Sequence, residues 1–186
     1  MTIVKICGLM RPEDVDAAVE AGADLVGFVL VEGTPRYLDP DRARALAARV
    51  PDRVKTVAVV LGIPGNAPLE GFDLTQTYDT PAEFRDVIVA SRAELPEDVP
   101  DGVPVLLDLP FGSRPDAKEL AGHWARAAEV RQPVILAGGL DPENVADAVR
   151  SAHPWGVDTA RGVETQPGVK DHALIRAFVR AAKDAA

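Results

Sequence analysis

Short apolar runs of strand length alternate along this chain with alanine-rich stretches of helical period. The runs are Ile3–Ile6, Leu25–Leu30, Val54–Val60, Phe72–Gln76, Val87–Ala90, Val105–Leu109, Val134–Ala137 and Gly156–Thr159. Eight such strands, each followed by a helical stretch, are what a closed (β/α)8 TIM barrel needs, and the predicted fold class is therefore α/β. An open, doubly wound sheet is the competing architecture.

Local signals punctuate the alternation. Proline sits at the expected first helical position behind a capping residue at Asp39-Pro40, at Thr80-Pro81 with Glu83 completing a capping box, and at Asp141-Pro142. Two connections do not read as helices. Leu61-Gly62-Ile63-Pro64-Gly65-Asn66-Ala67-Pro68 is too short and too rich in glycine and proline, and Glu94–Pro104 carries Pro96, Pro100 and Pro104. The predicted barrel is thus shortened, with about two outer helices missing or vestigial.

The chain has 186 residues, with no repeat or linker, and reads as one domain over 1-186. Lysine plus arginine number 20 against 29 aspartate plus glutamate, a net charge of −9 that disfavours nucleic acid or an anionic membrane as partner. No run approaches the roughly 20 apolar residues of a spanning helix, and the start lacks a signal-peptide layout, so a cytoplasmic protein is expected. One cysteine excludes an internal disulfide, and His123, His153 and His172 show no ligand spacing, so no metal is expected. The sequence leaves a monomer and a homodimer equally open.

The first chemical candidate is Cys7, where the first predicted strand runs into a glycine. In parallel α/β folds the chemistry gathers at the carboxyl ends of the strands. Val134–Ala137 likewise ends in Gly138-Gly139 ahead of a helix, a turn whose backbone N–H groups suit a phosphate.

Several segments together resemble one family. Lys5-Ile6-Cys7-Gly8-Leu9, Arg11-Pro12-Glu13-Asp14, Gly27-Phe28-Val29 and Thr34-Pro35-Arg36-Tyr37 are similar to the opening of phosphoribosylanthranilate isomerases. Leu136-Ala137-Gly138-Gly139-Leu140-Asp141-Pro142-Glu143-Asn144-Val145, Gly162-Val163-Glu164 and Pro167-Gly168-Val169-Lys170-Asp171 are similar to their last two strand-loop-helix units. The resemblance implies an Amadori rearrangement in tryptophan biosynthesis, with a small phosphoribosyl substrate and no cofactor. An acid must protonate the ribose ring oxygen and a base must take the proton from C2.

The resemblance makes Cys7 the base and Asp108 the acid. The resemblance also implies that Arg36 meets the anthranilate carboxylate and that Gln76 stands at the active-site mouth. Gly138, Gly139, Ala160, Arg161 and Gly162 cradle the phosphate. Lys5 either favours the Cys7 thiolate, since residues two apart in a strand share a side, or pairs with Asp158 inside the barrel. Asp108 needs a pKa raised by desolvation or a nearby negative charge. Glu164, Gly168, Lys170 and Asp171 read as structural.

Three loops depart from the family. Ala160-Arg161 stands where relatives carry two serines, Thr77-Tyr78-Asp79 replaces Leu-His-Gly, and the lid-like loop shrinks to Phe111-Gly112-Ser113-Arg114-Pro115. Two other readings therefore stay open. One is a related phosphosugar isomerase, although the histidine-pathway enzyme typically has aspartate where Cys7 stands. The other is a drifted barrel that binds a phosphorylated ligand or a partner without turnover.

Overall fold

The computed structural model describes residues 2–62, 69–78, 85–92 and 98–186. Its barrel strands are β1 (Ile3–Cys7), β2 (Leu25–Val29), β3 (Lys55–Val60), β4 (Leu74–Thr77), β5 (Val87–Ser91), β6 (Val105–Leu107), β7 (Val134–Leu136) and β8 (Gly156–Thr159), and Glu164–Gln166 with Val169–Lys170 forms a separate antiparallel pair. The eight barrel strands close in chain order, with β8 pairing in parallel with β1. The open-sheet alternative is thereby excluded.

The strand alternation sorts side chains into two cores. Val4, Ile6, Val26, Phe28, Val105 and Leu136 point outward into the layer beneath the helices, whereas Cys7, Leu25, Val57, Ile88, Leu106 and Ile135 fill the barrel interior. Both faces are buried, which is why the strands read as apolar runs.

Five helices among the described residues cover the barrel: α1 (Pro12–Ala21), α2 (Pro40–Ala47), α3 (Ala117–Ala128), α4 (Val145–Ala152) and α5 (His172–Asp184). The described parts of the connections after β3 and β5 carry no helix, in line with the shortened barrel. The predicted start at Thr80-Pro81 with Glu83 lies outside the described residues, as does most of the Leu61–Pro68 segment.

Asp39 caps α2 by accepting from the Arg42 N–H, with Pro40 at the first helical position. Asp141 does not start α4 as predicted: the helix begins at Val145. The Asp141 carboxylate instead accepts from the N–H groups of Glu143 and Asn144, which closes a turn ahead of the helix. Asp171 caps α5 by accepting from Ala173 and Leu174.

His123 of α3 ties the helix to the end of β7. Its Nε2–H donates to the Ala137 carbonyl at 2.9 Å, and Arg126 donates to Nδ1 at 2.9 Å. Burial lowers the His123 pKa, with the Arg126 charge acting the same way. Below the unfolded pKa of about 6.5 the unfolded chain takes up a proton that the folded protein resists. Stability is therefore expected to fall as pH drops from 7 to 5.5. The urea midpoint should show this slope in the parent protein and a shallower one in His123→Gln.

Candidate active site

Inward positions continue past the strand ends into the mouth of the barrel. On β1, Lys5 and Cys7 face inward. The same alternation carries Leu74, Gln76 and Tyr78 along β4, Ile88, Ala90 and Arg92 along β5, Leu106 and Asp108 along β6, and Gly156, Asp158 and Ala160 along β8. The upper members of these series are the chemical ones.

Lys5 lies opposite Asp158 in the β1–β8 register and donates to its Oδ1 at 3.0 Å. Burial alone would lower the Lys5 pKa. Asp158 and Cys7 outweigh it, so the pKa is raised and the buried ammonium stays charged. The same ammonium also acts on Cys7, favouring its anion against burial.

Gly27 makes room for this arrangement. A Cβ there would stand 2.8 Å from Cys7 Sγ and 3.3 Å from Lys5 Nζ. Burial still dominates at the sulfur and pushes the Cys7 thiol up, with Asp158 adding to the rise and the ammoniums of Lys5 and Lys170 opposing it. The free protein thus holds Cys7 as a thiol, and Lys5 by itself does not bring about the anion.

Asp108 is the first residue after β6, anchored by its N–H to the Ser91 carbonyl at 2.8 Å. Its Oδ1 accepts from the Leu109 N–H at 2.8 Å and its Oδ2 from the Tyr78 hydroxyl at 3.3 Å. Burial and then the Asp158 charge push the Asp108 carboxyl up, while Leu109, Arg92 and Tyr78 pull it down less strongly. Its side chain keeps 28% of its surface exposed, enough to meet a ligand.

Arg36 is held by Glu164 through two parallel bonds, Nε to Oε1 at 2.8 Å and Nη2 to Oε2 at 2.6 Å. Lys170 donates to the same Oε1 at 2.8 Å and to the Ala160 carbonyl at 2.9 Å. Burial works against the Glu164 anion, but the two cations win and hold its pKa below the ordinary value. One carboxylate thus fixes the arginine and, through Lys170, the loop after β8.

Asp108, Arg36, Asp158, Gly138, Gly139, Ala160, Arg161 and Gly162 line one cavity of about 420 Å³. Cys7 and Lys5 are not among its lining residues, and Lys5 connects to it by its bond to the lining residue Asp158. Gly138 has a φ of +85°, and a Cβ on it would meet the Leu109 N at 2.8 Å. The Arg161 guanidinium reaches across to the Ser113 carbonyl at 3.1 Å, linking the loop after β8 to the shortened loop after β6. Phe111 of that loop is 73% exposed at the rim.

Gln76 is not a lining residue of this cavity. It is buried in the wall of β4, and its Oε1 has no hydrogen-bond partner among the described residues. β4 extends one residue further than the sequence predicts, to Thr77, so the inward position at the mouth falls to Tyr78.

A family model described as N-(5'phosphoribosyl)anthranilate (PRA) isomerase matches residues 102–181. The N-(5'-phosphoribosyl)anthranilate isomerase of Geobacter metallireducens is 39% identical over 98% of this chain and all of its own length. The chain belongs to the phosphoribosylanthranilate isomerase family.

Solved structures agree. The phosphoribosylanthranilate isomerase of Thermotoga maritima has a TM-score of 0.83 at 28% identity, over 99% of this chain and 100% of that one. A phosphoribosylanthranilate isomerase in complex with reduced 1-(o-carboxyphenylamino)-1-deoxyribulose 5-phosphate has a TM-score of 0.77 at 28% identity, again over 99% and 100%.

Within this isomerase framework, sequence reasoning missed Arg92 and took Tyr78 only as a departure from the family. A signal existed for both: each lies in the inward series just beyond a strand end. The ion pair of Arg36 with Glu164 was also missed, because nothing local links residues 128 positions apart.

Proposed function

We propose that this chain, acting as a single domain, isomerises N-(5'-phosphoribosyl)anthranilate to 1-(2-carboxyphenylamino)-1-deoxyribulose 5-phosphate, a step of tryptophan biosynthesis. The near full-length identity to the Geobacter enzyme carries this reading. The cavity supports it, because its lining includes glycine turns and Arg161 suited to a phosphate and Arg36 suited to a carboxylate.

In the proposed mechanism Asp108 gives its proton to the ribose ring oxygen as the bond from that oxygen to C1 breaks. The anilino nitrogen lone pair forms the C1=N iminium. Cys7, its thiol proton released to water, then takes the proton from C2 as a thiolate, the C–H electron pair forms the C1=C2 bond as the C1=N pair returns to nitrogen, and the resulting enolamine tautomerises to the ketone. The thiolate is uphill of the thiol in the resting protein. The iminium is a new cation near the sulfur and, with Lys5 and Lys170, favours the anion when it is needed. The order of steps therefore follows from the electrostatics, acid first and base second.

A host lacking its own isomerase should grow without tryptophan when it expresses this chain and fail to grow when it expresses Asp108→Asn at the same level. Failure of the parent at normal soluble expression would remove the proposal.

A further inference from the structure

We propose that Tyr78 and Arg92 are positioning residues for Asp108, with the Tyr78 hydroxyl aiming the carboxyl and Arg92 holding the Tyr78 ring. This rests on reading Asp108 as the acid. The three residues leave adjacent strands β4, β5 and β6 on the inward side. Tyr78 donates to Asp108 Oδ2 at 3.3 Å, the Arg92 guanidinium carbon stands 4.0 Å from the centre of the Tyr78 ring, and Arg92 Nε is 3.9 Å from the same Oδ2. A guanidinium at that height is in cation–π contact.

The arrangement suits an acid that must hold a proton and then release it. Burial and Asp158 on β8 raise the carboxyl's pKa and so favour its protonated form before reaction. After transfer, the Tyr78 hydroxyl, the Leu109 N–H and the Arg92 charge all favour the carboxylate, so they stabilise charge that develops in the transition state. Burial and the Asp108 charge push the Tyr78 phenol far above its ordinary pKa, which keeps its hydroxyl a donor. The other charged groups around the same cavity are Arg36, Arg114, Asp141 and Arg161.

The test is the pH dependence of kcat/KM for the parent, Tyr78→Phe, Arg92→Met and Asp108→Asn, with folding checked by circular dichroism. Cys7 titrates above Asp108, so the acid limb of the profile reports the carboxyl. Each lost donor leaves the Asp108 anion less stable, so its pKa rises and the limb moves to higher pH. The expected move is about one pH unit in each of the first two variants, with kcat lowered about tenfold and KM changed less. A folded Tyr78→Phe with the parent's acid limb would overturn the positioning role. Asp108→Asn keeping the parent's rate would instead overturn the assignment of the acid beneath it.

Discussion

Cys7→Ala is expected to lower kcat by about a hundredfold or more while the protein stays folded. Loss of a positioned general base costs roughly 10²–10⁴ in rate. The thiol is buried beside Gly27 and within reach of the Lys5 ammonium, where no water-exposed group can replace it. Cys7→Ser separates chemistry from packing, since it keeps the size and the hydrogen-bonding reach but presents a hydroxyl that does not ionise. Both variants should be inactive and should unfold thermally within a few degrees of the parent. Residual turnover of Cys7→Ser near the parent's rate would show that the sulfur is not the base.

Asp158→Ala is expected to cause the largest loss of stability. Lys5 is fully buried, and its ammonium rests on the Asp158 carboxylate at 3.0 Å. Removing one partner of a buried pair leaves an uncompensated charge, at a cost of about 3–5 kcal/mol. For a domain of this size each kcal/mol shifts Tm by roughly 2–4 °C, so a fall of about 10 °C is expected. The double variant Lys5→Met with Asp158→Leu removes both charges and should recover most of it. A single variant melting with the parent would mean that Lys5 finds another anion or loses its proton.

The barrel and most of its site were legible because both obey local rules. The eight apolar runs match β1 to β8 within a residue or two at each end, and Asp39 caps where its side chain predicts. Asp141 misled because an aspartate before proline closes a turn as readily as it caps a helix, and here the helix waits for Val145. β4 runs one residue further than predicted, so Gln76 is buried in the barrel wall and the next inward position is Tyr78. The partner of Arg36 was hidden for a different reason. The loops set it against Glu164 over a distance along the chain that no periodicity reports, whereas the pairing of Lys5 with Asp158 was one of the two roles read for the lysine. The balance at Cys7 was likewise out of reach, since Lys5 two residues away suggests a depressed thiol pKa whereas burial raises it.

The central claim is that a protonated Asp108 and Cys7 act together on one substrate. Turnover of freshly generated N-(5'-phosphoribosyl)anthranilate, followed by loss of its fluorescence for the parent, Cys7→Ala and Asp108→Asn, tests it most directly. The account predicts that the parent consumes the substrate and that each folded variant loses about a hundredfold or more. A folded parent that leaves the substrate untouched, or variants that match it, would contradict the account.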